Sequence, residues 1–421
     1  MDNVIEFLEN RGFVDNITSD ELKKRAQKPL KAYIGFDPTA DSLHLGNLVG
    51  IVALAWLEKF GHTPVVLLGG ATGKIGDPSG KSTERPLLTH EVLQDNVEGI
   101  RKQFSRCLKN PEILNNDDWL THYGLVAFLR DVGKHFRVGP MLGKDSVRSR
   151  FQSEEGISFT EFSYQVLQGY DFYHLSEKED VILQMGGSDQ WGNITAGMEL
   201  TRKLSGKTIF GMTFPLLMRS DGAKFGKSEQ GAIWLDPNKT SPYQFYQYLV
   251  RVSDEDVGKL MRMLTFMELD EIETFEKALA SGEFVPNAAQ KRLAEEVTRF
   301  VHGDEGLDIA LRVTHAAAPG SKATLDPEVL EEIAKDMPHT LMKLSDVVDQ
   351  TYADVAAKSG LLASKAEGNR IIKNGGAYLN NEKIDDPTFI IQKKHIIGEK
   401  YLLFGAGKKK KILIKIEKEL A

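Results

Sequence analysis

Four short segments of this 421-residue chain bring together residue types that can do chemistry. The first is Tyr33-Ile34-Gly35-Phe36-Asp37-Pro38-Thr39, followed at the next helix start by His44-Leu45-Gly46-Asn47. Small residues there let a ligand approach the backbone, a helix amino end favours phosphate, and the Thr39 hydroxyl and His44 ring can donate to phosphate oxygens. The second is the glycine-rich run from Gly69 to Ser82, which invites a P-loop reading. That motif needs a glycine five residues ahead of a Gly-Lys pair, and the positions in question are Leu68, Ile75 and, for the later pair, Asp221. The P-loop reading fails. What stands is a loop in which Asp77 can hold an ammonium group while Lys81 and Arg85 meet phosphates.

The third segment begins at Ser158, where Tyr164, Gln168 and Asp171 recur at i, i+4 and i+7. On a helix this spacing puts a phenol, an amide and a carboxylate on one face. The fourth is Lys224-Phe225-Gly226-Lys227-Ser228, two cations and a hydroxyl around a glycine. Such a loop can close on a transferring phosphoryl group and stabilise charge spread over its oxygens; a surface basic loop is the plainer reading.

These residues need elements to hold them. Residues 31–36 and 63–68 have the length and β-formers of buried strands, and 43–60 between them is apolar on most sides, with Gly61 placed to end a helix. Strand, helix, strand in about 40 residues is a βαβ unit, implying a parallel sheet with its ligand at the carboxyl ends of the strands. Segments 35–46 and 69–82 then fall at the crevice. Strands are also expected at 181–184 and 213–218, each leading into a glycine-bearing loop, 185–191 and 221–228. From Ser241-Pro242, an N-cap with proline at the first helical position, the pattern is helical to about residue 317. Residues 318–326 read as a linker, and beyond 344 come two short helices and strands near 377–379, 389–391 and 413–416.

Composition sets the class. With 41% hydrophobic, 27% charged and 9% aromatic residues the chain is globular, and its longest uncharged apolar run, ten residues from Leu48, cannot span a bilayer. The amino terminus lacks a basic segment followed by an apolar one, and the lone Cys107 fits a reducing compartment, so a cytoplasmic protein is expected. Residues 351–421 carry 14 Lys/Arg against 8 Asp/Glu, a net +6, so with −7 overall the first 350 carry −13. A basic appendage on an acidic body suits a polyanion, a solvated tail being the alternative.

Taken together and in this order, the segments resemble the class I aminoacyl-tRNA synthetases, and among them the bacterial tyrosyl-tRNA synthetases. Residues 33–47 are similar to the region of the HxGH signature, Lys224 to Ser228 matches the KMSKS-type loop, and Gly186-Gly187-Ser188-Asp189-Gln190-Trp191-Gly192-Asn193 is a string particular to the family. Residues 364–370 and 375–380 resemble a small RNA-binding domain shared with a small-subunit ribosomal protein. Asn47 stands where HxGH has its last histidine, which rules out proton transfer at that position but leaves a nucleotide contact open. Phe225 and Gly226 replace Met and Ser of the named loop, with both lysines kept.

The resemblance implies an α/β fold: a Rossmann-type parallel-sheet catalytic domain at 1–235, an α-helical anticodon-binding domain at 236–320, a linker at 321–345, and a small basic α+β RNA-binding domain at 346–421. It implies activation of L-tyrosine by ATP, with Mg²⁺ and no tightly bound cofactor or metal site, then transfer of tyrosyl to the 3′-terminal adenosine of tRNA(Tyr). Thr39, His44, Lys81, Arg85, Lys224, Lys227 and Ser228 would serve catalysis. Tyr33 and Asp171 would take the phenolic hydroxyl, with Asp77, Tyr164, Gln168 and Gln190 around the rest of the tyrosine. Gly35, Asp37, Gly46, Asn47, Gly187, Asp189 and again Lys227 would bind ATP. A homodimer joined partly through 121–141 is expected, without DNA or membrane partners. A tryptophanyl-tRNA synthetase and a catalytically silent RNA-binding protein on the same scaffold are the alternatives; Asp171 opposite Tyr33, the 188–193 string and the appended domain favour tyrosine over tryptophan.

Overall fold

Short runs of apolar and β-branched residues become a six-stranded sheet made of β1 (Asn16–Ile17), β2 (Lys31–Phe36), β3 (Thr63–Leu68), β4 (Glu112–Asn115), β5 (Val181–Gly187) and β6 (Phe210–Phe214), in the order β1-β6-β5-β2-β3-β4. All neighbours are parallel except β1 with β6. Near-continuous burial along β2 and β3 is what a parallel sheet covered on both faces requires. The computed structural model describes residues 3–81, 83–84, 88–228, 231–317, 321, 325–407 and 410–417. Within it the chain divides into two units, Met1–Asp236 with Val252–Val301, and Pro237–Arg251 with His302–Ala421.

In the first unit the helix expected at 43–60 forms as a 3₁₀ turn, Leu45–Asn47, running into the helix Leu48–Lys59, whose first ten residues are all buried. Gly61 follows at φ 80°, a left-handed conformation that suits glycine. Strand β6 ends at Phe214 rather than continuing to 218, because Pro215 has no N–H for the ladder. The helices Asp254–Leu264 and Leu269–Ser281 group with this sheet, so the stretch expected as one all-α domain at 236–320 is shared between the two units. Arg11 ties the first of these helices down: its buried guanidinium donates to the carbonyls of Met261, Arg262, Thr265 and Met267. The helical span Ala288–Ala317 breaks at Gly303, φ 72°.

The second unit carries a five-stranded sheet, β11 (Glu382–Lys383), β10 (Ala377–Leu379), β12 (Tyr401–Ala406), β13 (Lys410–Ile416) and β9 (His339–Met342), in that order. Only β13 with β9 is parallel. The segment 321–345, expected as a linker, holds β9 and the helix Pro327–Asp336. Asp326 caps that helix by accepting from the Val329 N–H, Pro327 opens it, and Val329, Leu330, Ile333 and Ala334 bury one face in a shared apolar cluster. The two helices expected beyond 344 are Tyr352–Lys358 and Lys365–Lys373. No strand forms at 389–391, where Ile390 makes an isolated bridge to Thr351; the fully buried β12 takes the centre of the sheet. Residues 318–320 and 322–324 of the expected linker, and Lys408 and Lys409 of the basic run, lie outside the described residues. Among the described residues no helix is long and apolar enough to cross a membrane.

Candidate active site

At the carboxyl ends of β2, β3 and β5 a cavity of about 480 Å³ opens. Its closed end is built by Tyr33 on β2 and Asp171 on the helix Phe159–Lys178. That helix is fixed at its start by Ser158, whose hydroxyl accepts from the Glu161 N–H, and by a buried ion pair from Arg150 to Glu161 at 2.8 Å. The Asp171 carboxylate accepts from Asn116 Nδ2 (2.9 Å) and Trp119 Nε1 (2.8 Å). Burial nevertheless pushes its pKa up to about 7, against those two hydrogen bonds and with help from the Asp37 charge. Tyr33 is fully buried, its ring edge-on to Phe172, and its hydroxyl has no partner among the described residues. Burial first, then the Asp171 charge, raises its pKa well above the usual phenol range. Two buried polar groups at one end of the pocket, one rich in acceptor oxygens and one able to donate, are matched to a hydroxyl that can do both.

Further along, side chains form a connected polar wall. Asn116 Nδ2 also donates to Thr72 Oγ1, which donates to Asp37 Oδ1 at 2.8 Å, while the Tyr164 hydroxyl donates to Asp37 Oδ2 at 2.9 Å. Gln190 Nε2 donates to Asp77 Oδ2 (2.8 Å), and Gln168 links Gln190 with Asn193. Asp77 is held by the Ser79 N–H. The i, i+4, i+7 stripe of Tyr164, Gln168 and Asp171 therefore faces the cavity.

The mouth carries the cationic groups. His44 Nδ1 accepts from the Gly46 N–H at 3.1 Å, and Asn47 Oδ1 accepts from the His44 N–H at 3.0 Å, so the asparagine braces the turn. A lone pair on Nδ1 puts the neutral ring's proton on Nε2. Burial, then the Lys227 charge, holds the His44 pKa below the ordinary imidazole value, with Lys81 adding to the effect. The loop 224–228 lies directly against this turn. Gly226 has φ 83°, and a Cβ there would stand 2.8 Å from the Gly46 nitrogen. Backbone bonds from Ile233 to Gly226 and from Leu45 to Ile233 lock the two segments together, and Lys224 Nζ donates to the Gly80 carbonyl at 3.2 Å.

One cavity is thus lined by Tyr33, Gly35, Asp37, Thr39, His44, Gly46, Asn47, Asp77, Lys81, Tyr164, Gln168, Asp171, Gly187, Asp189, Gln190, Lys224 and Lys227. Arg85 and the side chain of Ser228 lie outside the described residues; the Ser228 backbone pairs with Gly231 in the hairpin of β7 (Lys227–Ser228) and β8 (Gly231–Ala232). Sequence reasoning missed Thr72, Asn116, Trp119 and Gln184, the last buried and opposite Tyr33 in the β2–β5 register. The available signal was β4: once it is paired with β3, the Asn115-Asn116-Asp117 string at its end must abut the loop after β3.

The family described as "tRNA synthetases class I (W and Y)" matches residues 24–317, and a "Tyrosine--tRNA ligase SYY-like C-terminal domain" matches 329–414. The tyrosine–tRNA ligase of Protochlamydia amoebophila is 53% identical over 425 residues, covering 100% of each chain. The chain belongs to the class I tyrosine–tRNA ligases. A chloroplastic/mitochondrial tyrosine–tRNA ligase of Arabidopsis thaliana is 47% identical over 98% of this chain and 84% of that one. A C-terminally truncated mitochondrial tyrosyl-tRNA synthetase of Aspergillus nidulans matches with a TM-score of 0.66 at 31% identity, covering 74% of this chain and 92% of that chain. As a tyrosine–tRNA ligase the chain activates L-tyrosine with ATP, releasing pyrophosphate, and passes the tyrosyl group to the 3′-terminal adenosine of tRNA(Tyr). The expected α/β catalytic fold and the activity implied by the signatures both hold for this family; Asn47 in place of the second signature histidine does not take the chain out of it.

Proposed function

We propose that the cavity performs both steps of the ligase reaction with a definite division of labour. Tyrosine enters with its phenol against Tyr33 and Asp171, its ammonium group against Asp77, Tyr164 and Gln168, and Gln190 beside it. ATP lies across Gly35, Asp37, Gly46, Asn47, Gly187 and Asp189, taken as its magnesium complex so that the ion arrives on the phosphates. The tyrosine carboxylate attacks the α-phosphate, and pyrophosphate leaves. No covalent catalyst is needed, so rate comes from positioning and from charge stabilisation by His44 Nε2, Thr39, Lys81, Arg85, Lys224, Lys227 and Ser228. In the second step the terminal adenosine hydroxyl attacks the adenylate carbonyl and AMP leaves. The observation that carries this reading is that Tyr33 and Asp171, 138 positions apart in sequence, close the same end of one cavity whose other end carries the lysine loop.

Around this core the reading extends to the assembly and its RNA. Helices drawn from 236–320 take the anticodon region, and the basic 346–421, with β9 and the helix Pro327–Asp336 built into the same unit, grips RNA phosphates, all in the cytoplasm. A second copy of the chain packs on 121–141; Leu125, Val126, Leu129 and Val138, each more than half exposed, support that placement, because apolar side chains gathered in one segment favour a protein contact. Tyrosine-dependent ATP–pyrophosphate exchange, followed by charging of tRNA(Tyr), tests the assignment. Exchange driven by tyrosine, with phenylalanine and tryptophan far weaker, is expected. Exchange that shows no preference for tyrosine contradicts it.

A further inference from the structure

We infer that His174 is a positioning residue for recognition of the phenol, acting through Trp119; the inference rests on the tyrosine-binding reading above. Asp171 and His174 are three residues apart on the helix Phe159–Lys178 and so share a face. Trp119 touches both. Its indole N–H donates to Asp171 Oδ1 at 2.8 Å, and its ring lies flat on the imidazole, with centroids 4.3 Å apart and planes 16° from parallel. Trp119 sits in a four-residue helix, Asp117–Leu120, none of whose residues is fully buried. The indole packs against the apolar cluster that holds Tyr33, Phe172 and Leu175, and the imidazole stack is its other described ring contact. The ring at 174 therefore shares with that cluster the task of holding the plane in which the N–H points, and through it the orientation of the carboxylate that receives the substrate hydroxyl. Without that ring the indole loses one of these restraints, its bond to Asp171 weakens, and the acceptor geometry offered to the phenol loosens, while the nucleotide end is untouched.

Exchange kinetics with tyrosine, phenylalanine and ATP decide the matter. His174→Ala is expected to raise KM for tyrosine ~3- to 10-fold, the worth of an aromatic stack, and to lower the preference for tyrosine over phenylalanine similarly, with KM for ATP unchanged. His174→Phe keeps a flat ring, and both values should return to within about 2-fold of wild type. A His174→Ala enzyme with unchanged tyrosine KM and discrimination overturns the inference. So does one in which tyrosine and ATP KM rise together and Phe fails to rescue. If the wild-type enzyme shows no tyrosine-dependent exchange, the underlying reading goes with it; if it does, and Trp119→Phe impairs discrimination while His174→Ala does not, this inference alone is lost.

Discussion

Gly226 meets Gly46 at the mouth of the cavity so closely that a single added methyl carbon would stand 2.8 Å from the Gly46 nitrogen. The lysine loop and the His44 turn therefore share one wall, and Gly226 is also held at φ 83°, where a side chain is strained. Gly226→Ala must push the loop outward and carry Lys227 away from His44. Strain of roughly 1–3 kcal/mol with impaired positioning predicts a fall of at least ~10-fold in the rate of adenylate formation. Tyrosine affinity, measured by equilibrium binding without ATP, should stay the same. An equal loss in both would place the loop's effect elsewhere.

On the proposed division of labour the mouth groups act on charge that develops during reaction, so their removal should show in rate rather than in ground-state binding. Lys227→Ala or His44→Ala is expected to slow single-turnover adenylate formation by ~10²- to 10³-fold, as for loss of one preorganised donor. The tyrosine dissociation constant should change by less than about 3-fold, since neither side chain is assigned to the amino acid. Because the His44 pKa lies below the ordinary imidazole value, its neutral, Nε2-protonated form persists through neutral pH, and activity depending on it should fall only on acidification below that ordinary value.

What can be read from sequence follows from local periodicity and from one chirality rule. The βαβ unit alone places the loops around Asp37 and Asp77 at the same sheet edge, and helical spacing alone puts Tyr164, Gln168 and Asp171 on one face. Asn116 and Trp119 escape such reasoning because β4 is a four-residue edge strand whose residues are all half-buried, so it has neither an alternating nor a continuous apolar pattern. The helices between 254 and 281 are legible as helices, but no period tells which sheet or bundle an apolar face will meet. The helix Pro327–Asp336, by contrast, has a legible start in Asp326-Pro327 and an apolar face from Val329 to Ala334, hidden among the prolines and glycines that make a linker plausible.

The phenol end makes a prediction about specificity. Tyr33→Phe leaves the cavity shape intact and removes one hydroxyl, so in the proposed binding mode tyrosine loses a hydrogen bond that phenylalanine never made. The ratio of kcat/KM for tyrosine over phenylalanine in pyrophosphate exchange should drop by roughly 3- to 15-fold, the worth of one neutral hydrogen bond. Unchanged discrimination would remove Tyr33 from the specificity site.

Asp171 also makes the apoprotein pH-sensitive in a definite direction. Its folded pKa, raised by burial to about 7, lies above the unfolded value, so between the two the native state holds a proton that the unfolded chain has released. The contribution is complete at low pH and is lost as pH rises through the folded pKa. Relative to Asp171→Asn, which does not titrate, the wild type should therefore lose stability on the order of 2 kcal/mol from about pH 5 to about pH 8. Urea unfolding of both proteins without tyrosine, followed by tryptophan fluorescence, measures the difference. A stability gap independent of pH would mean that Asp171 is ionised throughout.

On the proposed reading the second unit bears on transfer rather than activation. Removing 346–421 outright is a poor test, because β13 pairs with β9 at 339–342 and the cut would leave that strand without its partner. Charge reversal on the full chain is cleaner. Arg370 and Lys373 are exposed on the last turn of the helix Lys365–Lys373, where cations also suit the helix dipole, so changing them disturbs little packing. If this face meets RNA phosphates, Arg370→Glu with Lys373→Glu should weaken tRNA binding across salt concentrations. The slope of log affinity against log salt should become shallower by about 1 for each phosphate that is no longer neutralised. Tyrosine-dependent exchange needs no RNA and should stay at the wild-type rate, so a variant that loses exchange as well as charging would point to misfolding, and one that keeps both affinity and salt slope would remove this helix from the RNA-binding surface.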